Sequence, residues 1–288
     1  MSKYLSNAAI IEFDSEVKHQ YQGMAKLRKT VALRTGVVGS SYKFSRMGRG
    51  MANQKASAAD VTPMDVSHAR QTATLADWNA PEYTDIFDQA EVNYDEKIEL
   101  AKTVAGAIGR REDQIILDSF AAVSFAATND LNPDTGRVFD VSATANFSMD
   151  TLRSAMGHFQ DIEVDAMDGL HIALKSAALQ ELLSDSTVSS TDYNSVKALL
   201  NGTLDSYMGF KFHIIGTRSE GGLPGVTGDE IAYAWHQPSV GLAIGIDMKT
   251  EINYVPQKTA WLTNGLFKAG AVVREPQGIV KIIYDETA

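Results

Sequence analysis

The chain has 288 residues, 44% of them hydrophobic and 22% charged, a balance that excludes a disordered chain and allows one sizeable core or two modest ones. It has no cysteine, which removes disulfide frameworks, thiolate nucleophiles and cysteine-ligated zinc or iron–sulfur sites. Its formal charge of -10 argues against a surface that grips nucleic acid all round, because such binding neutralises phosphates with Lys and Arg.

Met1 to Asn7 lacks the apolar core of a signal peptide, and no stretch approaches the roughly 20 apolar residues of a membrane span, so neither secretion nor insertion is expected. Residues 8–29 place Ile11, Val17, Tyr21, Met24 and Leu27 at roughly helical spacing, which predicts a short helix or arm. Residues 30–80 differ. Val31, Leu33, Val37, Tyr42 and Phe44 suggest strand pieces, interrupted by Gly36, Gly39, Gly48 and Gly50 and by small residues from Ala52 to Ala59. That stretch holds too little bulky apolar material for a core of its own and reads as a long extended hairpin leaning on something else.

Tyr94, Ile98, Ala101, Ala105, Ile108, Ile115 and Phe120 keep a three-or-four-residue rhythm, predicting one long helix over 88–127. At about 1.5 Å per residue it would reach about 55 Å and act as a strut. Gly106 and Gly109 predict close packing or a slight bend within it, and the turn formers of 129–136 end it. Helical segments near 149–165 and 175–200 then alternate with strand-like runs at 169–174 and 210–216. A glycine-rich loop at 219–225 precedes strands at 231–235, 240–246, 252–255, 270–273 and 279–284, and the whole is an α+β pattern.

Charge divides the chain in two. Residues 1–70 hold 11 basic and 5 acidic groups (net +6), and residues 71–288 hold 15 basic and 31 acidic (net -16). No acid falls between Glu16 and Asp60, where Arg34, Lys43, Arg46, Arg49 and Lys55 are candidate contacts to an acidic protein surface. A nucleic-acid role for this basic run is less favoured, because base-stacking aromatics are confined to Tyr42 and Phe44.

Chemistry-bearing patterns are weak. Ser40 and Lys43 have the serine-x-x-lysine spacing of penicillin-binding enzymes without the accompanying motifs, and the glycines of 36–41 lack the lysine of a phosphate-binding loop. The oxygen ligands of 130–134 resemble a calcium loop, but no bidentate glutamate follows at the needed distance. His19, His68, His158, His171, His213 and His236 make no i, i+4 metal pair. Asp161, Glu163 and Asp165 read as a solvated face before they read as an acid/base pair. No catalytic, cofactor or metal site is expected.

An N-terminal arm, a basic extended hairpin, a long helix carrying Ala107-Ile108-Gly109-Arg110-Arg111-Glu112-Asp113-Gln114-Ile115, a mixed domain and a strand-rich end follow in order. The closing segment runs from strand 252–255 through Trp261 and Phe267-Lys268-Ala269-Gly270-Ala271-Val272-Val273, past Pro276, into Gly278-Ile279-Val280-Lys281-Ile282-Ile283. Together these resemble the tailed-phage major capsid family, with its α+β Hong Kong 97-type fold, over nearly the whole chain. The resemblance implies an N-terminal arm at 1–30, an extended E-loop at 31–85 and a peripheral domain with its spine helix at 86–148. It further implies an axial domain at 149–247, a peripheral β-hairpin at 248–269 and an axial C-terminal strand at 270–288.

It implies a shell subunit, not an enzyme, that assembles through hexamers and pentamers into an icosahedral head enclosing double-stranded DNA without sequence-specific contacts. The implied place is the virion, assembled in the host cytoplasm, with no membrane. Implied partners are further copies, a portal, a separate scaffolding protein, since the chain begins almost at the arm, and a decoration protein. Some relatives cross-link a lysine of the E-loop to a neighbour's asparagine. Lys43 and Lys55 are the loop's lysines here, but nothing identifies their partner and cross-linking is not expected. The alternatives are an encapsulin shell of the same fold and, from another class, a soluble hydrolase with an unrecognised carboxylate site.

Overall fold

A computed structural model describes residues 25–91, 95–127, 134–141, 146–164, 169–184, 206–226 and 228–285. Nearly all of the expected arm, the turn at 129–133 and the helical residues 185–200 lie outside them.

The expected strut is divided. A short α1 (Ile86–Glu91) precedes α2 (Glu96–Ala121), whose 26 residues span about 39 Å in place of 55. The Asp95 carboxylate accepts the Lys97 N–H at 3.1 Å, satisfying one of the orphan donors of the first turn, so α2 starts there. Its other end stops at Ala121, and Phe125–Ala126 forms β5. Apolar spacing alone does not register either boundary.

One face of α2 packs on a four-stranded sheet of order β1-β12-β13-β4. Here β1 (Ala32–Arg34) runs parallel to β12 (Val240–Val255), while β13 (Ala260–Val273) and β4 (Ala76–Asp85) follow antiparallel. On β13 the alternate residues Thr263, Gly265, Phe267 and Ala269 are buried towards the helix. A Cβ on Gly265 would lie 2.4 Å from Ile108 and 2.5 Å from Val104, so glycine sets how closely helix and sheet approach. The expected separate strands at 240–246, 252–255 and 270–273 are parts of β12 and β13, one continuous hairpin. Polar Asp247 to Glu251 break the hydrophobic run but not the backbone pairing, which continues through two register shifts.

A second, eight-stranded sheet has the order β5-β6-β14-β11-β7-β9-β8, with β10 (Gly225–Val226) on β11. Its members are β6 (Gly136–Asp140), β7 (Leu170–Leu174), β8 (Ser206–Tyr207), β9 (Phe210–Ile214), β11 (Asp229–His236) and β14 (Ile279–Asp285). Both faces are covered, which explains why β11 and β14 read as near-continuous apolar runs. Ile231, Tyr233, Trp235, Ile279 and Ile283 face α2 and the first sheet. Ala232, Ala234, Val280, Ile282 and Tyr284 face α3 (Met149–Asp161) and α4 (Ser176–Ser184). In α3 the spacing of Met149, Leu152, Ala155 and Phe159 matches one helical face, and the Ser148 hydroxyl caps its start by accepting the Thr151 N–H.

Residues 25–31 form a strap across both sheets. The Asp113 carboxylate, fully buried on α2, accepts the backbone N–H groups of Lys26 (3.0 Å) and Leu27 (2.9 Å) and pairs with Arg218 at 2.8 Å. Leu27 and Val31 enter the core, and the Trp235 indole N–H donates to the Thr30 carbonyl at 2.9 Å. Arg28 grips Asp247 with both terminal nitrogens, at 2.8 and 2.6 Å. Its Nε stands 3.6 Å from buried Glu112, too far for a hydrogen bond. Gly109 lets the strap lie close, since a Cβ there would sit 3.0 Å from that of Ala25.

Candidate assembly surface

The basic segment folds as a hairpin of β2 (Ser41–Met47) and β3 (His68–Thr74), a two-stranded sheet separate from the other two. Its base is apolar: Phe44, Ala73 and Leu75 pack with Ala243, and the Leu75 N–H donates to the Ser40 carbonyl at 2.8 Å. Gly241 makes room, since a Cβ there would meet the Phe44 ring at 2.7 Å. Beyond the base, the two-residue alternation of a strand separates two faces. Tyr42, Phe44 and Arg46, with Ala69, Gln71 and Ala73 opposite, turn towards the chain's own body. Lys43, Ser45, Met47, His68, Arg70 and Thr72 point outward and are exposed.

This alternation sorts the five candidate cations. Arg46 turns inward and pairs with Asp134 of the same chain at 2.6 Å. Arg49 reaches the Ile162 carbonyl at 3.5 Å. Lys43 faces outward, Lys55 lies exposed in the connecting segment, and Arg34 is exposed with its guanidinium 5.8 Å from the Tyr42 ring centre. Arg70 and His68 share the outward face with Lys43, and sequence reasoning missed them. The signal was the register, which sets Arg70 opposite Ser45, two positions from Lys43. Met51, Val61 and Met64 stand exposed in the connecting segment, at 78%, 78% and 57%.

A surface of opposite character lies at the far end of the four-stranded sheet. Edge strand β4, α1 and the first turns of α2 carry Glu82, Asp85, Asp88, Asp95, Glu96 and Glu99. Tyr83 and Phe87 are exposed among them, and Lys258 stands 3.8 Å above the Tyr83 ring. Residue Lys102 is engaged with Glu99 at 2.8 Å.

The remaining chemical candidates stay dispersed. Ser40 ends a turn through Gly36 and Gly39, both at positive φ, and Lys43 points away on β2. Asp134 of the calcium-like run serves Arg46, Asp161 ends α3, Glu163 occupies the left-handed region, and 130–133 and Asp165 lie outside the described residues. His171 and His213 meet across β7 and β9 with ring nitrogens 3.0 Å apart, stacked on Trp235, a proximity that only the strand pairing creates. Burial lowers both to about 4, and His213 adds to the effect on His171, so both are neutral at pH 7. Among the described residues no group of three or more His, Asp or Glu could hold a metal, and no helix is long and apolar enough to cross a membrane.

A family model described as phage capsid protein matches residues 5–286. The capsid structure of the Cyanophage P-SCSP1u aligns over 99% of this chain and 95% of its own, with 15% identity and a TM-score of 0.78. The capsid of a native GTA particle aligns over 98% and 97%, with 13% identity and a TM-score of 0.75. The head of Helicobacter pylori bacteriophage KHP40 aligns over 99% and 97%, with 12% identity and a TM-score of 0.72. At such identities the shared property is the fold. The comparison with curated proteins returned no match.

Proposed function

The chain belongs to the phage capsid protein family, with the Hong Kong 97-type fold, and from that premise we propose how it builds a shell. It is a structural protein of the phage head and not an enzyme, and the family match favours a phage shell over an encapsulin. Copies associate with copies in a capsid. The finer reading is that they do so as hexamers and pentamers closing into an icosahedral head around double-stranded DNA, assembled in the host cytoplasm with a portal, a separate scaffolding protein and a decoration protein.

We assign the parts as follows: the β2–β3 hairpin and its connecting segment as the E-loop, α2 with the four-stranded sheet as the peripheral domain, and the eight-stranded sheet with α3 and α4 as the axial domain. The carrying observation is a hairpin with almost no core of its own beyond its base, presenting Lys43, Arg70 and Lys55 with apolar Met51, Val61 and Met64. A second copy offers a matching surface in the acidic end of the four-stranded sheet, so that neighbouring subunits complete each other's burial in a heterologous contact that closes. Residues Arg46 and Arg49 support this reading less directly, because they bind their own subunit.

The test is expression of the chain alone and with its neighbouring genes, followed by sizing and negative-stain electron microscopy. Uniform shells, or hexamers and pentamers that convert to them, are the expected result. A stable monomer under every condition overturns the reading.

A further inference from the structure

The E-loop hairpin rests on its own subunit, yet it is barely packed there. Past the apolar base at Phe44 and Leu75, polar contacts reach the body, among them Arg46 to Asp134 at 2.6 Å and Arg49 to the Ile162 carbonyl at 3.5 Å. Between hairpin and body lie two open grooves. One, of about 260 Å³, runs from Arg49 and Ser67 to Glu275 and Gln277. The other, of about 240 Å³, runs from Gln71 to Asp134 and Pro276. A surface built as a permanent seat would interdigitate and leave few such voids.

We propose that the Arg46–Asp134 pair is an autoinhibitory contact that parks the hairpin over its own subunit and must open before the hairpin can reach a second copy. The proposal rests on the reading of the chain as a shell subunit. Arg46 sits inward by strand alternation and is only 15% exposed, whereas Asp134 is 69% exposed, so water competes for the pair from the body side. Such pairs hold weakly, and one worth about a 2- to 5-fold shift in population keeps the hairpin parked most of the time without trapping it. The base is suited to act as the hinge: the Ser40–Leu75 backbone bond and the Phe44 cluster stay in place while the strands beyond swing. The exposed Met51, Val61 and Met64 bury little in the parked position, so moving them onto a neighbour removes apolar surface from water.

Two measurements on the full chain test this. Because the protein has no cysteine, Lys55→Cys and Arg153→Cys on the exposed face of α3 accept a pair of spin labels without further changes. In the unassembled subunit, Asp134→Asn or Arg46→Gln should broaden the distance distribution, and the exchange Arg46→Asp with Asp134→Arg should narrow it again. An unchanged distribution overturns the parking contact whether or not shells form. In assembly followed by light scattering, the single variants should lower the threshold concentration about 2- to 5-fold and the exchange should restore it. Shells forming at or above the wild-type threshold overturn the inhibition, whereas an absence of shells in every sample, wild type included, counts against the shell reading itself.

Discussion

Asp113 holds Leu27 across 86 positions of sequence, accepting its backbone N–H at 2.9 Å inside the core. The same carboxylate takes the Lys26 N–H and the Arg218 guanidinium, so one side chain fixes the strap, α2 and the loop after β9 together. Asp113→Ala leaves Arg218 buried without its partner and two backbone donors unpaired. The expected cost is about 3–5 kcal/mol, read by denaturant unfolding, with faster amide exchange at Leu27.

Glu112 gives the subunit a pH dependence. Burial raises its carboxyl to about 7, against Arg28, which lowers it, while Asp113 and Asp247 push the same way as burial. A group raised in the fold binds its proton more tightly there than in the unfolded chain. Its contribution therefore favours the fold below the unfolded value near 4.5 and is lost as pH rises through about 7. Glu112→Gln should remove that slope and stabilise the subunit at pH 8 by up to about 3 kcal/mol, measured by melting at a series of pH values.

The His171–His213 pair has the opposite sign. Both are lowered to about 4 by burial, so their contribution is fully present above about 6.5 and is lost as pH falls towards 4. His213→Gln should remove its share of that slope between about 4 and 6.5 and leave the opposite Glu112 slope, which spans about 4.5 to 7, unchanged.

Two glycines should respond differently to one added methyl. At Gly270 a Cβ would lie 2.1 Å from the Thr74 carbonyl oxygen, a backbone atom that cannot turn away. At Gly265 it would meet Ile108 Cδ1, the end of a side chain that can turn, and the stiffer Val104 Cγ1, which yields only with a small shift of α2. Gly270→Ala should cost about 3 kcal/mol and Gly265→Ala about 1 kcal/mol, compared by thermal melts of the isolated subunit.

Reversing Lys43 and Arg70 together to Glu places two acids on the outward face of the hairpin, which the proposed contact would set against the acidic end of a neighbour's sheet. Shell yield should fall at least tenfold, the subunit's circular dichroism and melting temperature should stay unchanged, and added salt should recover part of the yield. Normal shells from this variant would remove the outward face from the inter-subunit contact.

Elements with a local signal were legible in the sequence. The apolar face of α3 is regular, and β11 and β14 carry near-continuous apolar runs, interrupted in β14 by Lys281, because both their faces are covered. Apolar patterning alone gives the β12–β13 hairpin as fragments, since Asp247 to Glu251 look like a loop, whereas the family resemblance implies a hairpin over 248–269. The α2 start was overrun because the apolar rhythm continues past Asp95, where one capping carboxylate decides the boundary. At the candidate surface, net charge marks a segment but does not say which way its side chains face. Arg46 and Lys43 differ in which way they face, and that is settled by the pairing of β2 with β3, some 25 residues on. Asp113, His171 and His213 acquire their roles only from long-range contacts that no spacing rule carries.

The strap leads directly into β1, and β1 lies parallel to β12. A pull along the axis of β1 would load its bonds to β12 in shear, with the Asp113 clamp and the Trp235–Thr30 bond anchoring the same stretch of chain. Shear of this kind resists force far better than peeling. The strap is therefore a tether as well as a seal, through which tension on the chain's leading end is spread across α2 and both sheets.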